Sequence, residues 1–375
     1  MNILAYVHLR NIYGSTGHGR VARQITEHLA QVTEDTLHIL VDPEDHRKVV
    51  HKVGAPWTEF AYHFFNRDTS RQQAHWVFTG RPLAEHYWPD AEIVYCTYDS
   101  YVPTRRAKLV VTLHDAAIFE SDALPHRWLF YRERLKSELI YRILSRKADL
   151  IHTVSHFSAE RLAHFFPTLR SRLRVVHNAV SPCFFLPISA VGKQALKEFE
   201  LIDRPFVLLP GGLNYRKNAD LVLRAWPLVH QMHPEVQLVV AGHCEPDYLG
   251  PGRALGESAR LTGFVNDEVL CALYDAAQVV WFPSLYEGFG LPVLEAMARG
   301  TAVVASNSTS LPEVAGDAAL LASPSSVAEQ VEALDALLKD SRMRELLSKR
   351  GKLRAESFTW PRAAAQLRRH FLSLI

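Results

Sequence analysis

Two long stretches of this 375-residue chain repeat one alternation, in which a short run rich in β-branched and aromatic residues is followed by a stretch with helical periodicity. Few folds accommodate that order, because parallel strands need a crossover of a dozen or more residues between them and a helix supplies it. In the first half the predicted strands are NILAYV (2–7), TLHILV (36–41), EIVYCTY (92–98), KLVVTLH (108–114), LIHTVS (150–155) and LRVVHN (173–178). Helices are predicted over 18–31, 126–147 and 156–165, while the aromatic-rich region 51–90 yields no clear assignment. The second half repeats the design with strands at 206–210, 236–242, 279–284 and 301–306, and helices over 218–232, 266–276 and from Pro292. Between the halves, SPCFFLPISAVGKQA (181–195) carries two prolines, interrupts the alternation and reads as the linker. A chain of this length exceeds what one hydrophobic core sustains. The expectation is therefore two Rossmann-like doubly wound α/β domains, 1–185 and 186–357, facing a central cleft, followed by an amphipathic helix in 358–375. Ligands of such sheets bind outside the C-terminal ends of the strands.

Composition narrows the function. Forty-two basic against forty acidic residues leave a net charge of +2, too little of a field to grip nucleic acid. Cys96, Cys183, Cys244 and Cys271 are far apart, with no metal-ligand spacing, so neither a disulfide framework nor a zinc site is expected. There is no Asp-x-Asp pair for a divalent cation, and no metal or other cofactor is predicted. No apolar run approaches the roughly 18–20 residues that a membrane-spanning helix needs. A cytoplasmic protein is expected.

PSLYEGFGLPVLEAMARG (283–300) places Glu287 and Glu295 eight positions apart in a stretch with almost no other charge. VVWFPS is a strand and PVLEAMAR a helix, with Pro292 in its first turn and Gly300 at its C-terminal end. Glu287-Gly288-Phe289-Gly290 is then a strand-to-helix loop, in which glycines admit close approach of backbone N–H groups and the helix N-terminus favours an anion. The two acids reach opposite ends of one extended ligand. A pyrophosphate flanked by sugars fits, with hydroxyls for the carboxylates and anionic oxygens for the amides. Taken singly, Glu295 reads equally well as a helix-dipole acid and Glu287 as a loop charge.

At this point the chain resembles the retaining glycosyltransferases of family 4, which have the GT-B fold. FPSLYEGFGLPVLEAMARGTAVVASNSTSLPEVAGDAALL (282–321) resembles that family's Glu-x7-Glu region, and VLLPGGLNYRKNADLVLRAW (207–226) its phosphate-binding Gly-rich turn with a following lysine. TGHGRVARQITEHL (16–29), VVTLHDAAIF (110–119), TVSHFSAERL (153–162), VVHNAV (175–180) and FTW (358–360) fall in the family's order. The resemblance implies that 1–185 binds the acceptor, 186–357 binds the nucleotide sugar and the tail helix packs back on the first domain. It assigns Glu287 to hydroxyls of the transferred sugar and Glu295 to the ribose. Gly288, Phe289, Gly290 and Leu291 are the amides for sugar and phosphates. Lys217 and Arg216 neutralise the leaving diphosphate beside Gly212, Gly17 and Gly19 form a close-approach loop, and His114 hydrogen-bonds the sugar near the reacting carbon. Many relatives have Gly-Arg where this chain has Gly211-Gly212, so Arg216 is the expected substitute, and many have Cys-Gly-Thr-Pro at Arg299-Gly300-Thr301-Ala302. Asp115 reads as a loop-positioning residue, and Ser155 and Asn178 as turn or cap residues. The spacing of Gly14, Gly17 and Gly19 is not the dinucleotide Gly-x-Gly-x-x-Gly.

The implied reaction is metal-independent hexosyl transfer with retention, from a nucleotide diphosphate sugar to a hydroxyl of a surface glycan or lipid-linked oligosaccharide. YRKN and SLYEGFGLP look most like the mannosyltransferase branch, which makes GDP-mannose the first choice of donor over UDP-linked sugars. A nucleotide-sugar 2-epimerase or a non-catalytic binding relative are the alternatives. Residues 127–147 hold seven cations, Arg127 to Lys147, against Glu133 and Glu138, with Trp128, Leu135, Leu139 and Ile143 at helical spacing. Such a helix suits either a core-packed position with a solvated basic face or peripheral contact with an anionic membrane at its inner surface.

Overall fold

The structure is a computed structural model that describes residues 1–13, 17–121, 123 and 128–375, the side chains of 128 and 129 excepted. Gly14 and Arg127, and the side chain of Trp128, lie outside the described residues. The chain divides into two compact units, Met1–Phe119 with His126–Asn178 and Trp360–Ile375, and Glu120–Pro125 with Ala179–Thr359.

The first unit holds one parallel sheet of seven strands: β1 (Asn2–Tyr6), β2 (Thr36–Val41), β3 (Ala61–Phe64), β4 (Ile93–Cys96), β5 (Lys108–Thr112), β6 (Leu150–Thr153) and β7 (Leu173–Val175). Their order is 3-2-1-4-5-6-7. Residues such as Leu4, Val94, Val111 and Ile151 are wholly buried, as a sheet covered on both faces requires. Within 51–90 the chain forms the edge strand β3 and the helices Thr69–Thr79 and Ala84–Tyr87. The tail helix, Trp360–Leu372, buries Trp360, Ala363, Ala364, Leu367 and Phe371 against this unit. Phe371 lies 5.4 Å from the Tyr95 ring, Arg368 pairs with Asp35 at 2.6 Å, and Gln366 donates to the Val175 carbonyl at 3.0 Å.

The second unit has a parallel sheet of six: β8 (Phe206–Pro210), β9 (Gln237–Ala241), β10 (Ala259–Gly263), β11 (Val279–Phe282), β12 (Ala302–Ser306) and β13 (Leu320–Ala322), in the order 10-9-8-11-12-13. Both sheets therefore follow the doubly wound pattern in which strand order reverses beside the first strand. The reversal lies between β1 and β4 in one unit and between β8 and β11 in the other. Unit two begins at Ala179, upstream of the two prolines of 181–195. Those prolines lie at a 3₁₀ turn, Pro182–Phe185, and ahead of the helix Ala190–Glu198, which Ser189 caps and which packs on the helix Asp267–Ala276. Arg299, at the end of the helix Leu291–Arg299, pairs with Asp275 and donates to the carbonyls of Phe184 and Leu186.

Candidate active site

In the second unit, the chain leaves β8 through Gly211 and Gly212, at φ 96° and 76°. Both amides donate to the Ala241 carbonyl, at 2.7 and 3.0 Å. A Cβ on Gly212 would stand 1.9 Å from the His243 carbonyl oxygen, so the residue is glycine for lack of room as well as for its backbone angle. Two asparagines then shape the turn that presents Arg216 and Lys217. The Asn214 side chain accepts from the Lys217 amide at 3.0 Å, and Asn218, at φ 63°, donates to the carbonyls of Pro283 and Pro324 at 3.0 and 2.7 Å. Together with the Leu285 amide donating to Arg216 O at 2.9 Å, this pins the turn after β8 to the loop after β11.

That second loop, residues 283–290, carries Glu287. Gly290 has φ 104°, and a Cβ there would meet Leu311 Cδ2 at 2.5 Å. The buried Ser310 hydroxyl approaches both the Glu287 and Phe289 carbonyls, at 2.8 and 2.9 Å, and Thr309 Oγ1 accepts from the Glu287 amide at 3.3 Å. The Phe289 ring packs 5.9 Å from that of Phe358.

The side chains converge. Lys217 Nζ donates to Glu287 Oε1 at 2.7 Å, and Arg216 Nη1 to Glu287 Oε2 at 3.2 Å. Lys217 is 8% exposed and Glu287 6%, whereas the Arg216 side chain is about a third exposed. Lys217 Nζ also lies 4.1 Å from the Phe282 ring centroid, a cation–π contact. Burial lowers the Lys217 pKa to about 8, with the Arg216 charge acting the same way against the pull of Glu287. Burial pushes the Glu287 carboxyl up, but the two cations outweigh it and hold it below its ordinary value. Two cations against one carboxylate leave this triad with an excess positive charge beside a glycine turn and a helix N-terminus, a combination suited to an anion. Glu295, 2% exposed in the same helix, accepts from the Tyr274 hydroxyl at 3.2 Å.

Taken by itself, the first unit holds its own group of residues, at the C-terminal ends of β1, β4 and β5. His114 follows β5 and is 8% exposed, and its Nε2 has no partner among the described residues. Its ring lies 4.4 Å from that of His18 and 6.0 Å from Tyr98, and Tyr98 is 5.7 Å from His8. Burial, then the neighbouring His18 and His152, holds the His114 pKa well below its usual value, so the ring is neutral. A neutral imidazole with a buried, unengaged nitrogen is built to exchange a hydrogen bond with a hydroxyl group. Gly17 opens the helix Gly17–Ala30, and a Cβ on it would have no neighbour within 4 Å among the described residues, but a Cβ on Gly19 would stand 1.8 Å from the Asn11 carbonyl oxygen. Asp115 accepts from the Ala117 amide at 2.9 Å, and Ser155 caps the helix His156–Phe165.

Sequence reasoning missed Asn214, Asn218, Ser310 and His18. Asn214 accepts from the amide three residues on in a glycine-containing turn, where such local side-chain bonds are common, and that signal was available. Nothing local marks Ser310, which acts on a loop more than twenty residues away.

Two family models match the chain: Glycosyltransferase Family 4 over residues 15–183 and Glycosyl transferases group 1 over residues 193–354. The O-antigen chain mannosyltransferase B of Escherichia coli is 34% identical over 281 residues, 73% of either protein. The chain belongs to the family 4 glycosyltransferases. A serotype-specific mannosyltransferase of Escherichia coli is 31% identical over 227 residues, 58% of this chain and 28% of that longer protein. Among solved structures, Anabaena HepE in complex with UDP and glucose superposes with a TM-score of 0.75 at 17% identity, over all of both chains. This glycosyltransferase thus has the GT-B fold, and its family supports a transferase over the epimerase and binding-module alternatives.

Proposed function

We propose that this glycosyltransferase moves mannose from GDP-mannose to a hydroxyl of a surface glycan or lipid-linked oligosaccharide, with retention of anomeric configuration and without a metal ion. The observation that carries the reading is the Lys217–Glu287–Arg216 triad beside the glycine turn. Its cations meet the charge that develops on the departing diphosphate, the kind of fixed electrostatic stabilisation worth several kcal/mol in transferases generally. The amides of Gly288, Phe289, Gly290 and Leu291 hold the sugar and phosphates, Glu287 and Glu295 take sugar and ribose hydroxyls, and His114 binds a hydroxyl near the reacting carbon. The acceptor oxygen forms its bond to the anomeric carbon on the face that the diphosphate leaves, the glycosidic C–O bond to phosphate breaks, and a phosphate oxygen receives the acceptor proton.

The mannose assignment draws on the two mannosyltransferase relatives, 34% and 31% identical to this chain over the stretches they share with it. Its test is calorimetric titration with GDP, UDP and ADP in parallel, followed by NMR of the product formed from GDP-mannose. Selective GDP binding and an α-linked product from the α-linked donor are expected. UDP selectivity overturns the donor, and an inverted product overturns the mechanism.

We also assign the helix Trp128–Lys147 to peripheral contact with an anionic membrane. Its buried side is formed by Phe130, Tyr141 and Leu144, whereas Tyr131, Leu135 and Leu139, at i, i+4 and i+8, are 54%, 71% and 46% exposed. The sequence left core packing and membrane contact open for this apolar face, and Leu135 and Leu139 are exposed. An apolar ridge flanked by Arg132, Lys136, Arg142 and Arg146 has the composition of a helix that rests in a headgroup layer.

A further inference from the structure

Beyond the C-terminal end of the edge strand β3 lies a cavity of about 290 Å³ in the first unit, lined by His63, Asn66, Arg67, Gln72, Pro82 and Tyr87 among others. Gln72 is 1% exposed, yet neither its amide oxygen nor its amide nitrogen has a partner among the described residues. Burying an amide without partners is unfavourable, and a folded chain keeps one only where something else satisfies it. The neighbouring groups are otherwise engaged. One His63 nitrogen meets His38 at 2.9 Å and the ring also bonds the Tyr87 backbone, while Pro82 O accepts from the Trp76 indole at 3.0 Å.

We propose that this cavity binds one pyranose unit of the acceptor glycan, several residues from the reacting end. An amide presents a donor and an acceptor side by side, which matches two vicinal hydroxyls. Tyr87, Pro82 and the 42%-exposed Phe64 supply apolar faces for the ring's C–H bonds, and Asn66 and Arg67 are exposed at the mouth to take further hydroxyls. The volume sits at the lower end of the roughly 300–1,000 Å³ of ligand clefts, which suits one sugar ring and not a nucleotide. Position supports the acceptor assignment. Because the sheet is parallel, the cavity lies on the same C-terminal rim as His114, and β3 is four strands from β5, roughly 19 Å at about 4.8 Å per strand. A glycan running along that rim places a distal unit at β3 while its terminal hydroxyl is at His114.

This inference rests on the proposed transfer to a glycan acceptor, probed here with mannosides, and its test separates the two. The full chain would be titrated, by saturation-transfer NMR, with methyl α-mannopyranoside, methyl α-glucopyranoside, methyl α-galactopyranoside and an α-linked mannotetraose, as wild type, Gln72→Met and Arg67→Ala. Transfer from GDP-mannose to the tetraose and to methyl α-mannopyranoside would be measured in the same samples. The expected result is that both variants weaken tetraose binding at least fivefold and raise its KM with kcat retained. The KM of the monosaccharide stays unchanged, and the melting midpoint of Gln72→Met equals or exceeds that of wild type. Arg67 is exposed, so Arg67→Ala keeps the test valid should Gln72→Met fail to fold. Tetraose binding and KM unaffected by both variants, or no binding of any of the four sugars, overturns the cavity's role even if transfer proceeds normally. Sugar held in the cavity by a protein that transfers nothing overturns the acceptor assignment.

Discussion

Lys217 Nζ and Glu287 Oε1 are 2.7 Å apart, each nearly inaccessible to solvent, so the cation and the carboxylate define one buried unit and neither can be removed alone without consequence. Stripping one partner from a buried ion pair typically costs about 3–5 kcal/mol, because the other charge is left uncompensated. Glu287→Ala is therefore expected to lose at least a hundredfold in kcat, a loss typical for removal of one transition-state contact. It should also lower the melting midpoint, while GDP, which restores a counter-charge to Lys217, still binds. A transfer assay, differential scanning and titration calorimetry of the one variant read the three, and full transfer activity would remove Glu287 from the chemistry.

The depressed pKa of Lys217, about 8, gives nucleotide binding a pH dependence of known sign. A diphosphate favours the charged amine, so binding above pH 8 must take up a proton, and affinity falls as pH rises. A loss of about tenfold in GDP affinity between pH 7 and pH 9 is expected where only the charged form binds. Lys217→Arg, whose charge does not titrate in this range, should flatten the profile.

Acid stability is set by a different group. Burial holds His152 at about 4, with Nε2 against the Val176 carbonyl at 3.2 Å and Nδ1 against Thr112 Oγ1 at 3.1 Å, and His114 is lowered in the same sense. In the unfolded chain these rings take up protons near pH 6.5, and in the folded chain they do not. The stability they contribute is present above that pH and is lost as pH falls toward 4, by about 3 kcal/mol for His152 alone. Melting curves between pH 7 and pH 4 should show the decline, and His152→Gln should reduce its slope.

Two glycines of the first unit predict opposite outcomes. Gly19→Ala drives a methyl group into the Asn11 carbonyl and should destabilise the protein by about 1–3 kcal/mol, whereas a Cβ on Gly17 would have no neighbour within 4 Å among the described residues and Gly17→Ala should leave melting unchanged. A loss of donor or acceptor binding in Gly17→Ala alone would then report ligand approach and not folding.

Peripheral binding through Tyr131, Leu135 and Leu139 predicts co-sedimentation with phosphatidylglycerol vesicles that weakens as salt rises. Leu135→Glu with Leu139→Glu, both on exposed positions, should abolish it without altering the melting midpoint. Equal sedimentation with neutral vesicles, or none with either, would remove the membrane assignment.

Much of the framework was legible because the inner strands carry continuous apolar runs, such as FVLLP at β8 and VVWF at β11, that only a doubly covered sheet explains. The strands that escaped notice, β3, β10 and β13, are all at sheet edges. AYHF and ARLTG are half-exposed and interleave polar residues, so their sequences lack the run that betrays an inner strand. On the candidate site, Glu287 stood out because it opens a glycine loop between a strand and a helix, whereas Lys217 was singled out by the family resemblance of its glycine turn and not by its own surroundings. Asn218 and Ser310 were harder, because each satisfies carbonyls brought near only by the fold: Asn218 reaches Pro283 and Ser310 reaches Glu287. The basic helix left two readings open for the complementary reason. Helical spacing identifies an apolar stripe but not which of two stripes the sheet covers.

The return of Trp360–Leu372 to the first unit bears on the order in which a ribosome delivers the parts. Asp35 waits for Arg368, and Tyr95 for Phe371, while the whole of Ala179–Thr359 is still being made. At about 5–20 residues per second, that interval is of the order of 10–35 s. During it the nascent first sheet exposes the apolar ground that Trp360–Leu372 will cover, while the second unit, completed by the continuous stretch Ala179–Thr359, can close first. Maturation then runs against the direction of synthesis. A chaperone arriving on the emerging polypeptide would meet its longest-lived sticky surface on the first sheet, and loss of Trp360–Leu372 would damage the first unit and spare the second.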